Sequence, residues 1–479
     1  MKPKRIAVVG GGIAGLTATF GLSEAQRAGA PIEAYLFEAS PRLGGALRTE
    51  RIDACVVEAG ADSFLTEKRD AIELCHQVGL SDQLIGSEDA QRKTLILHQG
   101  RLVPLPEGFD FLVPTRFLAV ARTPLLSLRD KLALAAEVWV RPATHTGDES
   151  VASLVERHFS PGLRETIVDP LLMAVYGGDS HLLSAQAVLP RLVEMEQRWG
   201  SLIRGFRQAA RERKRHSAQQ PHQTTVRPSL FTTLREGLES LVGALAARLG
   251  NVRVVCGRRV VEIIATPASG SGYQLRFEGN ESFDANAVIL ALPAYQSARL
   301  LAARDPMLAD RLAEIPYSSS LIVAVGYDAR VRETLPRAFG FLVPREEKLR
   351  IRACTFVGQK FRHRVASNRA LLRCFLGGVR DEAVLQLSDA EVAATVQREL
   401  RSVLGITGDP VFLKVYRWPQ ALAQYTVGHP ERLSVIRSRL AEHRGLFLCG
   451  NAYQGVGIPD CIRSGKAAAA DCLRQLTQG

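Results

Sequence analysis

The sequence predicts a mixed α/β fold, α+β overall: a Rossmann-type dinucleotide-binding domain with an inserted helical subdomain and an antiparallel-sheet substrate domain. Three observations predict it. A short apolar strand runs into Gly10, Gly12 and Gly15, in G-x-G-x-x-G register, and then into helical spacing at Leu16, Ala18 and Leu22. Two more apolar strands, 287–293 and 445–451, recur far downstream, as strands buried on both faces do. Between them lie alternating segments such as 320–327 and 371–376, the pattern of an antiparallel sheet. At 479 residues the chain is too long for one core, so two or three domains are expected.

The first element is the strand Ile6, Ala7, Val8, Val9. The glycines after it allow a tight turn, the approach of a pyrophosphate to bare backbone, and close seating of the next helix on its strand. That helix offers unpaired N–H groups and a partial positive charge to phosphate. A second strand, Ala34 to Phe37, ends in Glu38, about 20 residues past the glycines, where an acidic side chain binds a ribose hydroxyl. Next come Arg42, Leu43, Gly44 and Gly45. A second arginine-plus-glycine turn suits the longer bridge of FAD, which needs further backbone and a cation, so FAD is expected rather than NAD.

Onward, 55–64 reads as a strand and turn, 70–80 as a helix with a glycine C-cap, and 95–104 as a hairpin about Gln99-Gly100, with His98 a surface or turn residue. Residues 105–145 are apolar but broken by Pro114, Arg116, Arg122 and Pro124, with a helix over 125–140. No uncharged run there reaches the roughly 18 residues of a membrane span. The segment suits either a peripheral interfacial contact or an ordinary helical subdomain. The basic run 204–227 lacks interleaved aromatics and reads as a solvated loop, not a nucleic-acid surface. A helix over 237–249, strands at 252–255 and 260–264 and a hairpin at 273–277 lead to the strand 287–293 and a return of the dinucleotide domain. The last strand opens through 452–460 into a helix over 461–473. The expected domains are 1–90, 226–300 and 441–479 for the cofactor, 91–225 for the helical and substrate subdomain, and 301–440 for the substrate sheet.

Composition bounds the partners. The net charge of +12, from 61 basic and 49 acidic residues, suits an anionic ligand, an anionic membrane or nucleic acid. Eight cysteines show neither C-x-x-C nor metal spacing, and read as buried thiols of a reducing compartment. The basic start followed by apolar residues is already assigned to the first strand, so no targeting segment is expected and the placement is cytoplasmic, at most peripheral on a membrane.

The motifs carry a resemblance over nearly the whole chain to the FAD-dependent porphyrinogen oxidases of haem synthesis, which oxidise protoporphyrinogen IX or coproporphyrinogen III. It rests on the first glycine turn, Glu38 with 42–45, 60–65, 190–194 and 200–205. Its most selective parts are Arg417-Trp418-Pro419 with Gln424-Tyr425 and Gly428-His429, then 450–453 and 455–461. Ala61 stands where the family has proline, Gly178 where it has alanine, and Arg235-Glu236-Gly237 where it has arginine and two glycines.

The resemblance implies FAD held by Gly10, Gly12, Ile13, Ala14 and Gly15 at the pyrophosphate, Glu38 at the ribose, and Arg42, Gly44, Gly45 and Ala46 beside the phosphates. It implies Gly60, Ala61, Asp62 and Ser63 near the flavin and Val260 at the adenine. It further implies Trp418, Gly450 and Asn451 in the cofactor site, and Val456, Gly457 and Ile458 against the isoalloxazine. A basic residue before the Gly100 hairpin, Arg92 or Lys93, is implied for a substrate propionate. No catalytic acid or base is assigned. The implied reaction removes six electrons in three flavin cycles, with dioxygen reduced to hydrogen peroxide and the product handed to a ferrochelatase. A flavin amine oxidase, a carotenoid desaturase and a non-enzymatic lipid-binding relative share the fold. An aromatic content of 6% argues against the aromatic cage of the first, and cofactor motifs at both ends of the chain argue against the last.

Overall fold

A computed structural model describes residues 3–106, 109–110, 113–114, 117–141, 147–218, 229–266 and 272–477. The chain divides into two compact units, one of residues 1–87, 229–316 and 431–479, the other of 88–228 and 317–430.

The first unit is built on a five-stranded parallel sheet. Its order is Arg253–Cys256, Ile32–Glu38, Lys4–Val9, Ala287–Leu290, Leu446–Leu448. Ile6 pairs with Ala34 on one side and Ala287 on the other, so the first strand is central, and its last four residues are buried as their apolar character requires. The helices Ile13–Arg27 and Ile458–Thr477 pack closely through small residues. A Cβ at Gly465 would lie 2.2 Å from the Ala14 carbonyl oxygen, and one at Gly21 would lie 3.3 Å from the Ala469 methyl. The last helix starts three residues earlier than its periodicity suggests, because Pro459 suits a first turn and the Asp460 side chain accepts the Gly457 N–H.

The second unit carries a seven-stranded sheet in the order Phe412–Ala423, Tyr317–Asp328, Arg369–Gly377, Ile351–Phe356, Gly340–Leu342, Thr94–His98, Arg101–Pro104. Every pairing is antiparallel except that of Gly340–Leu342 with Thr94–His98. The hairpin turns at Gln99 and Gly100, both at positive φ, as its Gln-Gly sequence predicts. One face buries Leu321, Val323, Leu372 and Phe341 with Val392, Val396 and Leu400 of the helix Asp389–Leu404.

Two expectations change. The basic run from Arg204 is not a loop as far as Ala218: residues Leu202–Ala218 are helical, with Leu202, Ile203 and Phe206 buried, and arginine, lysine, glutamine and alanine are good helix formers. Residues 219–227 of that run lie outside the described residues, as do 107–108, 111–112, 115–116 and 142–145 of the segment 105–145. The helix expected from 125 begins at Leu128, where Ser127 and Asp130 form a reciprocal capping box.

The same unit buries a charged cluster. His158 lies with one ring nitrogen 2.9 Å from Glu137 and the other 3.0 Å from Glu196. Glu137 also accepts N–H bonds from Leu202 and Ile203 and the Ser201 hydroxyl, closing the start of that helix. Arg157 bridges Glu196 and Glu149. Burial alone would lower the pKa of the His158 imidazolium, but its bonds to Glu137 and Glu196 outweigh burial and hold it above the usual value. Burial alone would raise Glu196, and the bonds from His158 and Arg157 bring it below the usual carboxylate range instead.

Candidate cofactor site

The strand Lys4–Val9 delivers the chain to Gly10, whose φ of +105° favours glycine. A Cβ at Gly10 would stand 2.5 Å from the Ala291 carbonyl oxygen, and one at Gly15 would stand 1.9 Å from the Gly10 carbonyl oxygen. The protein itself closes these two positions. Gly12 differs. Its φ of −70° and ψ of 177° suit any residue, and no atom lies within 4 Å of where its Cβ would be. It faces a cleft of about 610 Å³. Ile13 and Ala14 begin the helix there, with no acidic side chain in the first turn and N–H groups that no helical carbonyl can reach.

Glu38 closes one rim of the cleft. One carboxylate oxygen accepts the Gly11 N–H at 2.6 Å and the other the Ser40 N–H at 2.7 Å. Two backbone donors thus fix the group, and each oxygen keeps a further lone pair for a ligand hydroxyl. The second turn lies across the first: the Gly44 N–H donates to the Gly11 carbonyl at 2.8 Å, and a Cβ at Gly45 would come 3.3 Å from the Gly12 Cα. Arg42 donates to the carbonyls of Leu43, Leu47 and Gly45, so in this structure it holds its own turn. Ala46 is exposed in that turn.

Gly10, Gly12, Glu38, Gly45 and Val260 all line the cleft. Gly60, Ala61, Asp62 and Ser63 belong to the same unit but not to its lining; Thr233 donates to the Asp62 carbonyl at 2.7 Å and Ser63 to the Asp62 carboxylate at 2.8 Å. Gly450, at φ +131°, donates its N–H to Ser464 at 3.2 Å; Asn451 follows it, and Val456, Gly457 and Ile458 form the entry to the last helix. Trp418 and Arg92 fall in the other unit. Trp418 pairs opposite Ser320 on the strand Phe412–Ala423, and Arg92 is exposed after the short turn Asp89–Gln91.

Sequence reasoning missed part of the wall. Arg258, Arg259, Gln296 and Arg299 also line the cleft. Arg258 pairs with Glu281 and lies over the Phe277 ring at 5.1 Å, which holds its guanidinium in place. The available signal was Pro293, which stops a parallel strand and precedes the helix Ala294–Leu301 at the strand's carboxyl end. The cysteines need one correction: seven are buried, but Cys256 is exposed, because it ends the edge strand Arg253–Cys256. Burial pushes the thiols of Cys75, Cys461 and Cys472 up to about 12, so they pack as apolar groups.

Open space at Gly12, a fixed carboxylate at a strand end and a helix N-terminus without acidic neighbours fit a dinucleotide. Residues 13–473 match the flavin-containing amine oxidoreductases. The chain is 33% identical over 476 residues to the coproporphyrinogen III oxidase of Bacillus subtilis (strain 168), covering 99% of this chain and 98% of that protein. It is 27% identical over 481 residues to the chloroplastic protoporphyrinogen oxidase of Nicotiana tabacum, covering 97% and 84%. A crystal structure from Exiguobacterium sp. 255-15, provisionally named a protoporphyrinogen oxidase, superposes with a TM-score of 0.86 over 100% of both chains at 29% identity. With a dinucleotide cleft in its parallel-sheet unit and a family match running almost from end to end, the chain belongs to the flavin-containing amine oxidoreductases, and its flavin is FAD.

Proposed function

We propose that the chain is an FAD-dependent oxidase that converts a porphyrinogen to the porphyrin, with coproporphyrinogen III as its substrate. The observation that carries this reading is the 33% identity, across 99% of the chain, to a protein named for that substrate. Protoporphyrinogen IX is the second reading, favoured by the 27% identity to the Nicotiana tabacum enzyme. The net charge of +12 suits four propionates better than two.

In this reading the backbone of Gly10, Gly12 and Gly15 and the start of the helix Ile13–Arg27 take the pyrophosphate. Glu38 takes the ribose hydroxyls, Val260 borders the adenine, and Arg42 keeps Gly44, Gly45 and Ala46 across the phosphates. Gly60 to Ser63, Gly450 with Asn451, and Val456 to Ile458 border the flavin. Arg92 anchors a propionate, so that a flat apolar disc cannot turn in its slot. Bound FAD would supply a two-electron acceptor for hydride from a methylene bridge. Six hydrogens leave the porphyrinogen in three rounds, balanced by three dioxygen molecules reduced to three of hydrogen peroxide. The protein's part is orientation and exclusion of competing reactions.

The test supplies anaerobically prepared coproporphyrinogen III and protoporphyrinogen IX separately to the FAD-loaded protein in oxygenated buffer, following porphyrin fluorescence and peroxide. The expected result is a higher kcat/KM for coproporphyrinogen. The reverse order selects the second reading, and turnover of amines with neither porphyrinogen consumed overturns both.

The reading extends to the surface. Among the described residues no helix is long and apolar enough to cross a membrane. Leu128, Leu132 and Trp139 are nonetheless 75%, 63% and 76% exposed at helical spacing. Arg122, Arg129 and Arg141 are exposed beside them, while Asp130 and Glu137 are buried. This supports peripheral contact with an anionic membrane, near which the product would pass to a ferrochelatase. Cosedimentation with anionic vesicles that weakens with added salt is expected, and binding indifferent to lipid charge would count against it.

A further inference from the structure

One buried carboxylate ties together two segments that come from opposite ends of the chain. Asp460, in the first turn of the helix Ile458–Thr477, is 3% exposed. Its Oδ2 accepts from the Lys68 ammonium at 2.6 Å and from the Gly457 N–H at 3.3 Å. Its Oδ1 accepts from the Arg463 guanidinium at 2.7 Å. Arg463 reaches further, to Asp70 at 3.4 Å and to the Gln454 carbonyl at 3.4 Å. A Cβ at Gly455, where φ is +109°, would lie 2.4 Å from the Asp460 Cγ, so the turn is folded tightly onto the carboxylate.

Helix capping explains only part of this. An acidic residue at the third helical position commonly reaches back to the N–H that precedes the helix, as Asp460 does to Gly457. Capping requires neither the Lys68 ammonium, drawn from the segment that follows Gly60 to Ser63, nor the Arg463 bridge to Asp70 in the same segment. A carboxylate this deeply buried is costly to desolvate unless it is paired. Here two cations pair it: Lys68 comes from the segment 66–70 itself, and Arg463 carries the connection on to Asp70 of that segment and to Gln454.

We propose that Asp460 is a positioning residue for the flavin: with Lys68 and Arg463 it locks the turn 455–457 to the segment 66–70, so that the turn presents its backbone to the ring in one arrangement. The inference rests on the reading that Val456, Gly457 and Ile458 border the isoalloxazine. Lys68 also brings a positive charge to that turn, which favours the negative charge gained on reduction.

The test uses Asp460→Asn, which keeps the shape but loses the charge, and Lys68→Met, whose site is partly exposed and so leaves the core untouched. Each is read by amide hydrogen exchange over residues 452–457 in FAD-free protein, by the FAD dissociation constant, and by the flavin's reduction potential. For Asp460→Asn we expect exchange and the dissociation constant each to rise about tenfold. For Lys68→Met we expect rises of about threefold, because Arg463 remains, with a lowered reduction potential. Unchanged exchange in both variants overturns the lock itself. Faster exchange with unchanged FAD affinity and potential shows instead that the turn does not border the flavin; that overturns the placement on which the inference rests, and the inference with it.

Discussion

The cleft around Gly12 and the cluster around His158 are both rich in polar groups, and they are built on opposite rules. At the cleft, backbone N–H groups, an open volume of about 610 Å³ and the outward lone pairs of Glu38 are held ready and left uncovered. In the cluster, His158, Glu137, Glu196, Arg157 and Glu149 satisfy one another. The bonds within the cluster raise His158 and lower Glu196 from their usual values. A perturbed titration can thus mark a structural network, whereas the ligand site is marked by its backbone donors and shape.

The sharpest way to break that comparison is within the glycines. Gly15→Val forces a side chain into the Gly10 carbonyl and is expected to abolish folding of the parallel-sheet unit, read as loss of soluble protein. Gly12→Val meets nothing in the protein and should cost the FAD-free protein only about 1 kcal/mol, the scale of losing a good N-cap residue. It should nonetheless purify colourless. A Gly12→Val protein with a full flavin spectrum would show that the open space is not the phosphate's.

Next in size is the cluster. His158→Ala leaves two buried carboxylates without their shared partner and should destabilise the protein by about 3–5 kcal/mol in denaturant titration, with FAD affinity unchanged. The pH dependence follows from the shift directions. Because the folded pKa of His158 is raised, its stabilisation is complete below about 6.5 and is lost as pH rises through the folded value. Glu196 is depressed, so its stabilisation is complete above about 4.3 and is lost as pH falls through its folded value. The difference in stability between wild type and variant should therefore shrink at both extremes. A difference constant from pH 5 to pH 9 would remove His158 from the account.

Smaller effects sharpen the cleft. Glu38→Gln keeps an acceptor for one backbone N–H but loses the charge, and should weaken FAD by about 1.5–3 kcal/mol in a titration, with the melting temperature of the FAD-free protein little changed. Arg92→Ala should raise KM for coproporphyrinogen about tenfold, with FAD content untouched, as for loss of one charge-assisted bond. Unchanged kinetics would return Arg92 to the solvated surface and make Lys93 the next residue to try.

The parallel sheet and the glycine turn were legible because their causes are local. A strand, a turn and a helix start must follow one another within ten residues, and backbone approach forces glycine at fixed spacing. Arg258, Arg259, Gln296 and Arg299 were not, since they reach the cleft only when strands more than two hundred residues from Gly10 take their places in the sheet. Glu137, His158 and Glu196 were illegible for the same reason. Each alone looks like a solvated polar residue, and only three separate segments meeting make them a cluster. The helical run after Leu202 was misjudged because its charges outnumber its three buried anchors, although those anchors decide it.

The strand order also sets a timetable for the newly made chain. Lys4–Val9 lies at the middle of its sheet, yet one neighbouring strand begins at Ala287 and the edge beyond that at Leu446. At ribosomal rates of roughly 5–20 residues per second, the first strand waits on the order of tens of seconds for its far-side companions. All residues of the second unit, 88–228 and 317–430, are synthesised before Leu446 emerges. The half of the molecule that is begun first is therefore the half completed last, and its apolar strands are the ones a growing chain must keep from pairing with the wrong partner.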